Sequence, residues 1–443
     1  MNTLRALIIL YLAVFSDYGQ SAEAEKNRPN IVILVADDLG WADVGYHGSS
    51  IRTPNIDRLQ SRGVELDFHY VAPMCTPTRA ALLTGRYWSR FGNTKPSNER
   101  VLPWDTMTLA RALQGAGYRT AISGKWHLGS KPEWGPRKFG FDQSYGSLAG
   151  GINPWNHLYK HGPYTRTWHR NDELIEEEGH VTDLLTSEAV RFIKEKKKEP
   201  FFLYVPFTAV HTPFDEPPKW LGRVDKKIEP ERRQYAACAE HMDDGIGQIL
   251  RALDEEGKAE NTLVIFFSDN GGTNGDDSSR YPDTKAKGKI KGLNAPLRGW
   301  KTQVYEGGIR VPAIAYWPGK LRPFKLSTPT HVVDWMPTIC AVTGIKFDKD
   351  LKWDGINLWP LLNGKNDKEG PERILYCKGV NGTSSALHWW PWKLIKGKDK
   401  VQLYNLNLDP TEKKDLSQIQ PDKVKELLKT LELQASKDNA SLP

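Results

Sequence analysis

The sequence predicts an α/β fold, a large sheet between layers of helices, followed by a smaller C-terminal α+β domain. Three observations predict it. At least four apolar runs read as strands, and the first of them, at 31–36, is apolar on both faces as in a parallel sheet. Stretches of helical spacing separate these runs. Beyond about residue 364 the character changes to short antiparallel strands and one closing helix. The organisation expected is 1–24 as a leader, 28–364 as the catalytic body and 365–443 as the small domain.

Taken in order, Ile31-Val-Ile-Leu-Val-Ala36 is a buried strand that stops at Asp37-Asp38. Residues 56–62 and 108–116 have the spacing of short amphipathic helices. Residues 77–83 predict a helix that Gly85 ends. Thr76 is its expected N-cap, and Pro77 takes the first position, where a missing N–H costs nothing. Residues 118–123 read as a strand that breaks at Gly124-Lys-Trp-His-Leu-Gly129. Residues 139–178 show no firm periodicity and are rich in aromatics and histidines, among them Trp155, His157, Tyr159, His161, Trp168 and His169. Such a stretch either walls a sugar pocket or packs against the body.

The next helix, 181–197, is read from Leu184, Leu185, Val190, Phe192 and Ile193, and a strand at 201–205 precedes His211. A long helix spans 231–255, and the strand 263–267 runs into Ser268-Asp-Asn-Gly-Gly272. Residues 294–316 read as a loop and then a strand. Segments 373–378, 386–396 and 401–406 read as antiparallel strands, and 421–434 as a helix. Of His388-Trp-Trp-Pro-Trp392, Trp389 or Trp390 is the candidate for a pocket wall.

The 443 residues are 39% hydrophobic and 26% charged, an ordinary globular composition with room for one large domain and a smaller one. The net charge of +7 suits an anionic substrate, but no basic run is interleaved with aromatics, which argues against nucleic acid. Arg5, the apolar core 6–15 and Ala22-Glu-Ala24 form a cleavable export signal too short to span a bilayer. The alternative is an uncleaved anchor. Four cysteines, Cys75, Cys238, Cys340 and Cys377, are too few for a disulfide framework. Cys238 falls on the apolar face of the long helix and is expected to pack there. The lysines at 194–198 read as the solvated end of a helix. Asn381-Gly-Thr and Asn439-Ala-Ser are glycosylation sequons for a eukaryotic secretory host.

The recurrence of polar groups just past strands points to one site. Open α/β sheets place ligands beyond the carboxyl ends of their strands. Asp37 and Asp38 repel each other unless something offsets them, and Asp269 and Asn270 add two more oxygen donors. That set favours Ca²⁺ or Mg²⁺ over Zn²⁺. Cys75 stands at the positive end of the 77–83 helix, where an anionic nucleophile or a sulfate or phosphate oxygen is stabilised, and Arg79 points back from one turn on. The bland alternative is a buried cysteine before an ordinary capped helix.

Cys75-Thr-Pro-Thr-Arg79, with Leu83-Thr-Gly-Arg86 behind it, resembles the signature of the formylglycine-dependent type I sulfatases. Residues 30–40, 124–129, 268–272, 301–312 and Leu403-Tyr-Asn-Leu-Asn-Leu-Asp-Pro410 resemble further blocks of that family, in the right order. Thr78 stands where the family more often has Ser or Ala. The arylsulfatase B branch, which removes 4-sulfate from N-acetylgalactosamine, is the nearest in character, although this chain is poorer in cysteine than its lysosomal relatives.

The resemblance implies an alkaline-phosphatase-like large mixed sheet between helices. It implies that Cys75 is oxidised to 3-oxoalanine (formylglycine) by a formylglycine-generating enzyme. It implies that Asp37, Asp38, Asp269 and Asn270 hold Ca²⁺, with Mg²⁺ possible, together with the modified residue 75. Arg79 and His127 would orient the hydrated aldehyde, and Lys125, His211 and Lys301 would contact the sulfate, the last two assisting the leaving oxygen.

In the chemistry so implied, one hydroxyl of the hydrate attacks sulfur and expels the alcohol, and the second ejects sulfate and restores the aldehyde. The expected function is hydrolysis of sulfate monoesters, on a sulfated carbohydrate or an aryl sulfate. Three other readings remain: a phosphatase or phosphodiesterase on the same core, a non-catalytic sulfated-glycan binder, and a thiol hydrolase using Cys75 directly.

Overall fold

The computed structural model describes residues 28–275, 278–282, 292–364 and 372–439. The expected export signal at 1–24 lies outside them. In chain order the strands are β1 (Asn30–Ala36), β2 (Val64–Leu66), β3 (His69–Tyr70), β4 (Arg119–Ser123), β5 (Gln143–Ser147), β6 (Trp168–Arg170), β7 (Glu173–Leu174) and β8 (Phe201–Pro206). They continue with β9 (Thr262–Ser268), β10 (Ala313–Tyr316), β11 (Phe324–Leu326) and β12 (Thr330–His331). All but β3 and β12, which pair with each other, form one mixed sheet in the order β11-β2-β10-β9-β1-β8-β4-β5-β6-β7.

The centre of this sheet, β9-β1-β8-β4-β5, is parallel throughout. Along β1 the side chains alternate between two apolar clusters. Ile31, Ile33 and Val35 join one; Val32, Leu34 and Ala36 join the other. A strand packed on both faces has no polar face to show, which is why the sequence there is apolar without interruption. On the second face lie helices α1 (Pro54–Arg62), α4 (Val181–Lys194) and α5 (Arg233–Glu255). On the first lie α2 (Cys75–Thr84), α3 (Leu109–Gly115) and α7 (Trp335–Thr343), with the short α6 (Glu306–Ile309) at its edge.

A second sheet, β13 (Ile374–Lys378), β14 (Ser385–Trp389), β15 (Trp392–Lys396) and β16 (Val401–Asn405), is antiparallel and carries α8 (Pro421–Ala435) on one face. Its inward side chains Leu387, Leu394 and Leu403 belong to the same apolar cluster as α2.

Several expectations need correction. Helix α2 begins two residues early: Met74 is its N-cap, Cys75 its first residue and Thr76 its second, so Thr76 caps nothing. Gly85 ends it with φ 67°, a left-handed conformation glycine adopts without strain. The unreadable stretch 139–178 holds β5, β6 and β7, whose polar and glycine-bearing sequences become strands by pairing at the sheet edge. The single strand expected at 386–396 is a hairpin, turned at Trp390-Pro391, where proline cannot continue a ladder. Neither Trp389 nor Trp390 lines the central cavity: Trp389 Nε1 donates to Glu372, and Trp390 packs edge-on against Phe68 at 4.6 Å. Cys238 is buried among apolar neighbours as expected, and all four cysteines are free.

Candidate active site

Four neighbouring parallel strands deliver the polar groups to one edge. β1 and β9 pair in register with Ala36 opposite Ser268, so Asp37 and Asp269 leave the sheet side by side. The Asp269 amide donates to Ala36 O, and the Asp38 amide reaches Asp269 Oδ1 at 3.3 Å. β4 delivers Lys125 and His127, and the segment after β8 delivers His211, with Val210 N donating to Asp37 O. Lys301 comes from the loop that leads into α6. Asp38 and His127 sit at φ 69° and 55°, left-handed conformations that cost a non-glycine residue about 1 kcal/mol or more. Such strain persists where a side chain must be aimed.

Cys75 is 2% exposed, and every residue of α2 is buried. Thr78 braces the approach to it: its hydroxyl accepts from Ala72 N at 3.0 Å. One turn in, Arg79 Nη2 lies 2.7 Å from Asp269 Oδ2 and 4.0 Å from Asp37 Oδ2, while Nη1 donates to Lys125 O. Lys125 Nζ, wholly buried, donates to Asp37 Oδ2 at 2.5 Å. Lys301 Nζ donates to both oxygens of Asp38, at 2.6 and 2.8 Å. His211 Nδ1 meets the Thr212 carbonyl at 2.6 Å, which fixes the proton on Nδ1 and turns Nε2 toward Asp38 Oδ2, 3.9 Å away. His127 Nδ1 is buried without a hydrogen-bond partner among the described residues.

Ligand atoms of Asp37, Cys75 and Asp269 lie within 4.8 Å of one another, and so do those of Asp37, Asp38 and His211. Asn270 Nδ2 donates to Asp38 Oδ1 at 2.8 Å. Asn270 Oδ1 and Asp37 Oδ1 are both buried with no hydrogen-bond partner among the described residues. Orphaned buried oxygens are rare and costly; here Asp37 clusters with Asp38 and Asp269, and the Asn270 amide touches Asp38. Three carboxylates and an amide oxygen outnumber the His211 ring and the Cys75 sulfur, which burial keeps a neutral thiol, and such a set fits a hard divalent cation.

The charges agree. Burial raises Asp37 despite Lys125, and burial with the neighbouring Asp37 pushes Asp269 up to about 6. Burial also opposes ionisation of Asp38, but Lys301 and His211 hold it well below the usual carboxylate range. Burial pushes the Cys75 thiol up against the pull of Lys125 and Lys301. Burial, then Lys125 and Arg79, drive His127 well below its ordinary value, so it stays neutral.

These residues floor a cavity of about 500 Å³, lined by Asp38, Cys75, His127, His211 and Lys301 at its base. The residues the sequence singled out to hold a metal or do the chemistry are thus brought to one place. The mouth is formed by Asn98, Tyr159, Lys160 and Arg280. Only Tyr159 carried a signal, as part of the aromatic stretch at 139–178. Trp168 and His169 of that stretch are buried in packing instead.

Comparison with known proteins agrees with this arrangement. The family model described as Sulfatase matches residues 29–345. Arylsulfatase J of Mus musculus is 30% identical over 93% of this chain and 76% of its own length. N-acetylgalactosamine-6-sulfatase of Homo sapiens is 33% identical over 84% of this chain and 74% of its own. Among solved structures, Ps i-CgsB in complex with k-i-k-neocarrahexaose superposes with a TM-score of 0.83 at 32% identity, covering 93% of this chain and 94% of that one. These relatives support the family and no single branch of it, so the likeness to arylsulfatase B is not carried further.

Proposed function

The chain belongs to the sulfatase family and is a sulfuric ester hydrolase; from that premise we propose that it cleaves sulfate from a sulfated carbohydrate, using formylglycine made from Cys75 and a bound calcium ion. The observation that carries the site assignment is the clustering of Asp37 and Asp269 ligand atoms within 4.8 Å of Cys75, with Asp37 Oδ1 and Asn270 Oδ1 buried and without a hydrogen-bond partner among the described residues. Asp37, Asp38, Asp269 and Asn270 would hold the ion, with an oxygen of modified residue 75 completing the set. When bound, the metal supplies Lewis-acid charge that eases loss of a proton from a hydroxyl on residue 75. The hydrated aldehyde of residue 75 would supply the attacking oxygen, and loss of the proton from its second hydroxyl would expel sulfate and restore the aldehyde.

The chain's own residues do the rest. Arg79 and His127 orient residue 75, the arginine from a position fixed by Asp269 and Lys125 O. Lys125 and Lys301 hold cationic charge at the base of the cavity, each anchored by a carboxylate rather than free to wander. Fixed charge of this kind stabilises developing negative charge without reorganisation at the moment of reaction. His211 keeps one proton on Nδ1, so protonation adds the second at Nε2, from which it would pass to a departing alkoxide. A neutral buried thiol is a poor nucleophile, which supports modification of Cys75 over its direct use.

We read the formylglycine-generating enzyme as acting before this segment folds, a reading supported by the burial of Cys75 in the folded chain. No helix among the described residues is long and apolar enough to cross a membrane, and we read the chain as exported by its leader. The carbohydrate assignment is supported by the oligosaccharide bound to Ps i-CgsB and by the sugar sulfatase among the relatives. Turnover of matched aryl sulfate and aryl phosphate esters, before and after chelation and calcium restoration, tests the proposal. Sulfate hydrolysis that calcium restores is expected; faster phosphate hydrolysis contradicts it.

A further inference from the structure

The mouth of the cavity is built from two segments remote in sequence. His161 N donates to Arg280 O at 3.0 Å, and Asn153 and Asn156 both donate side-chain N–H groups to Pro282 O at 3.4 Å. Tyr159 and Tyr281 meet edge to face with ring centroids 5.8 Å apart, and Lys160 Nζ lies 5.6 Å from both rings. Gly151 permits this closure, since a Cβ there would lie 2.2 Å from the Tyr281 hydroxyl. Arg280 and Lys160 therefore face the same cavity from docked, mutually braced loops.

Among the described residues the charge of that mouth is one-sided. Asp38 is the sole carboxylate among the described lining residues, and it is engaged by Lys301 and Asn270 at the base. The Arg280 side chain is exposed and makes no ion pair or side-chain hydrogen bond among the described residues. A guanidinium left in this state over a cavity that already holds the cations for one sulfate is set up for a second anion. Its planar fork suits bidentate capture of sulfate or carboxylate.

We propose that Arg280, supported by Lys160, forms a second anion subsite at the mouth of the cavity, so that the substrate carries another acidic substituent beside the sulfate that is cleaved. This rests on the sulfatase reading, and it narrows the substrate to a glycan with closely spaced anionic groups. Tyr159, which lines the cavity and is braced from behind by the buried Tyr281, offers the aromatic surface on which the intervening sugar ring lies.

The test measures binding to the Cys75→Ala chain, which cannot turn the ligand over. Disaccharides with a galactan backbone and with an N-acetylgalactosamine backbone serve as probes. Each is used singly sulfated, doubly sulfated, and singly sulfated with a uronic carboxylate. On at least one backbone the second anion tightens binding about tenfold or more, Arg280→Ala abolishes that gain, and Arg280→Lys keeps part of it. Whether the sulfate or the carboxylate gives the gain identifies the substituent. Equal binding of the forms on both backbones, or a preference that survives Arg280→Ala, overturns the subsite. Failure of the unaltered enzyme to release sulfate from an aryl sulfate is a separate result, which overturns the reading beneath it.

Discussion

Lys301 Nζ bridges both oxygens of Asp38, at 2.6 and 2.8 Å, and so ties the loop before α6 to the end of the central strand. The ammonium is thereby fixed at the cavity base. Lys301→Ala is expected to cost about 3 kcal/mol in the chemical step, a fall in kcat of roughly a hundredfold, as for loss of one preorganised donor. Steady-state kinetics on an aryl sulfate measure it, and near-normal kcat would remove Lys301 from the reaction.

Gly150 leaves room for His127. A Cβ at that position would lie 2.4 Å from His127 Cε1 and Nε2. Gly150→Ala is expected to push the imidazole aside and lower kcat by about tenfold to a hundredfold, the scale of a small misplacement. Thermal melting should move little. Full activity would show that the orientation of His127 does not matter.

His241 sits between two carboxylates, Nδ1 at 2.8 Å from Glu216 and Nε2 at 3.0 Å from Asp183. Burial opposes its charge, but hydrogen bonds to Asp183 and Glu216 outweigh this and raise its pKa above 6.5. The folded chain then holds this proton more tightly than the unfolded one. Its stabilisation is complete below pH 6.5 and is lost as pH rises through the raised value. Melting temperature should decline across that window in the native protein, and His241→Gln should flatten the decline. An unchanged profile in the variant would place the proton elsewhere.

Lys393 is buried between Glu306 and Glu412, at 2.9 and 2.8 Å, with His388 and the Tyr70 hydroxyl completing the shell of Glu306. Glu412 also accepts from the Glu306 amide at the start of α6. This cluster joins the C-terminal sheet to the loop that bears Lys301. Lys393→Met leaves two buried carboxylates facing each other and should destabilise the fold by about 3–5 kcal/mol. Chemical denaturation checks the value, and a loss under 1 kcal/mol would mean the cluster relaxes freely.

How much of this was legible in the sequence follows from what each element depends on. The strand 30–36 is written in its own residues, because burial on both faces demands an unbroken apolar run, and Asp37-Asp38 marks its end. The proposed metal donors were legible for the same reason: a polar pair directly after a buried strand has few places to go. Gln143-Ser-Tyr-Gly-Ser147 is a strand only because β4 offers it an edge, and no local pattern says so. Thr76 looked like a cap by residue type, yet the helix starts at Cys75 because the chain enters it extended from Met74. Arg280 and Lys160 were invisible, since each is an isolated base in a loop, and only docking of the two loops makes them neighbours.

The central claim is that residue 75 acts as an oxidised side chain, and the most direct measurement is the mass of the peptide containing it, taken from active enzyme. The account predicts formylglycine or its hydrate at that position. An intact Cys75 thiol throughout a preparation that turns over aryl sulfate at full rate would contradict it.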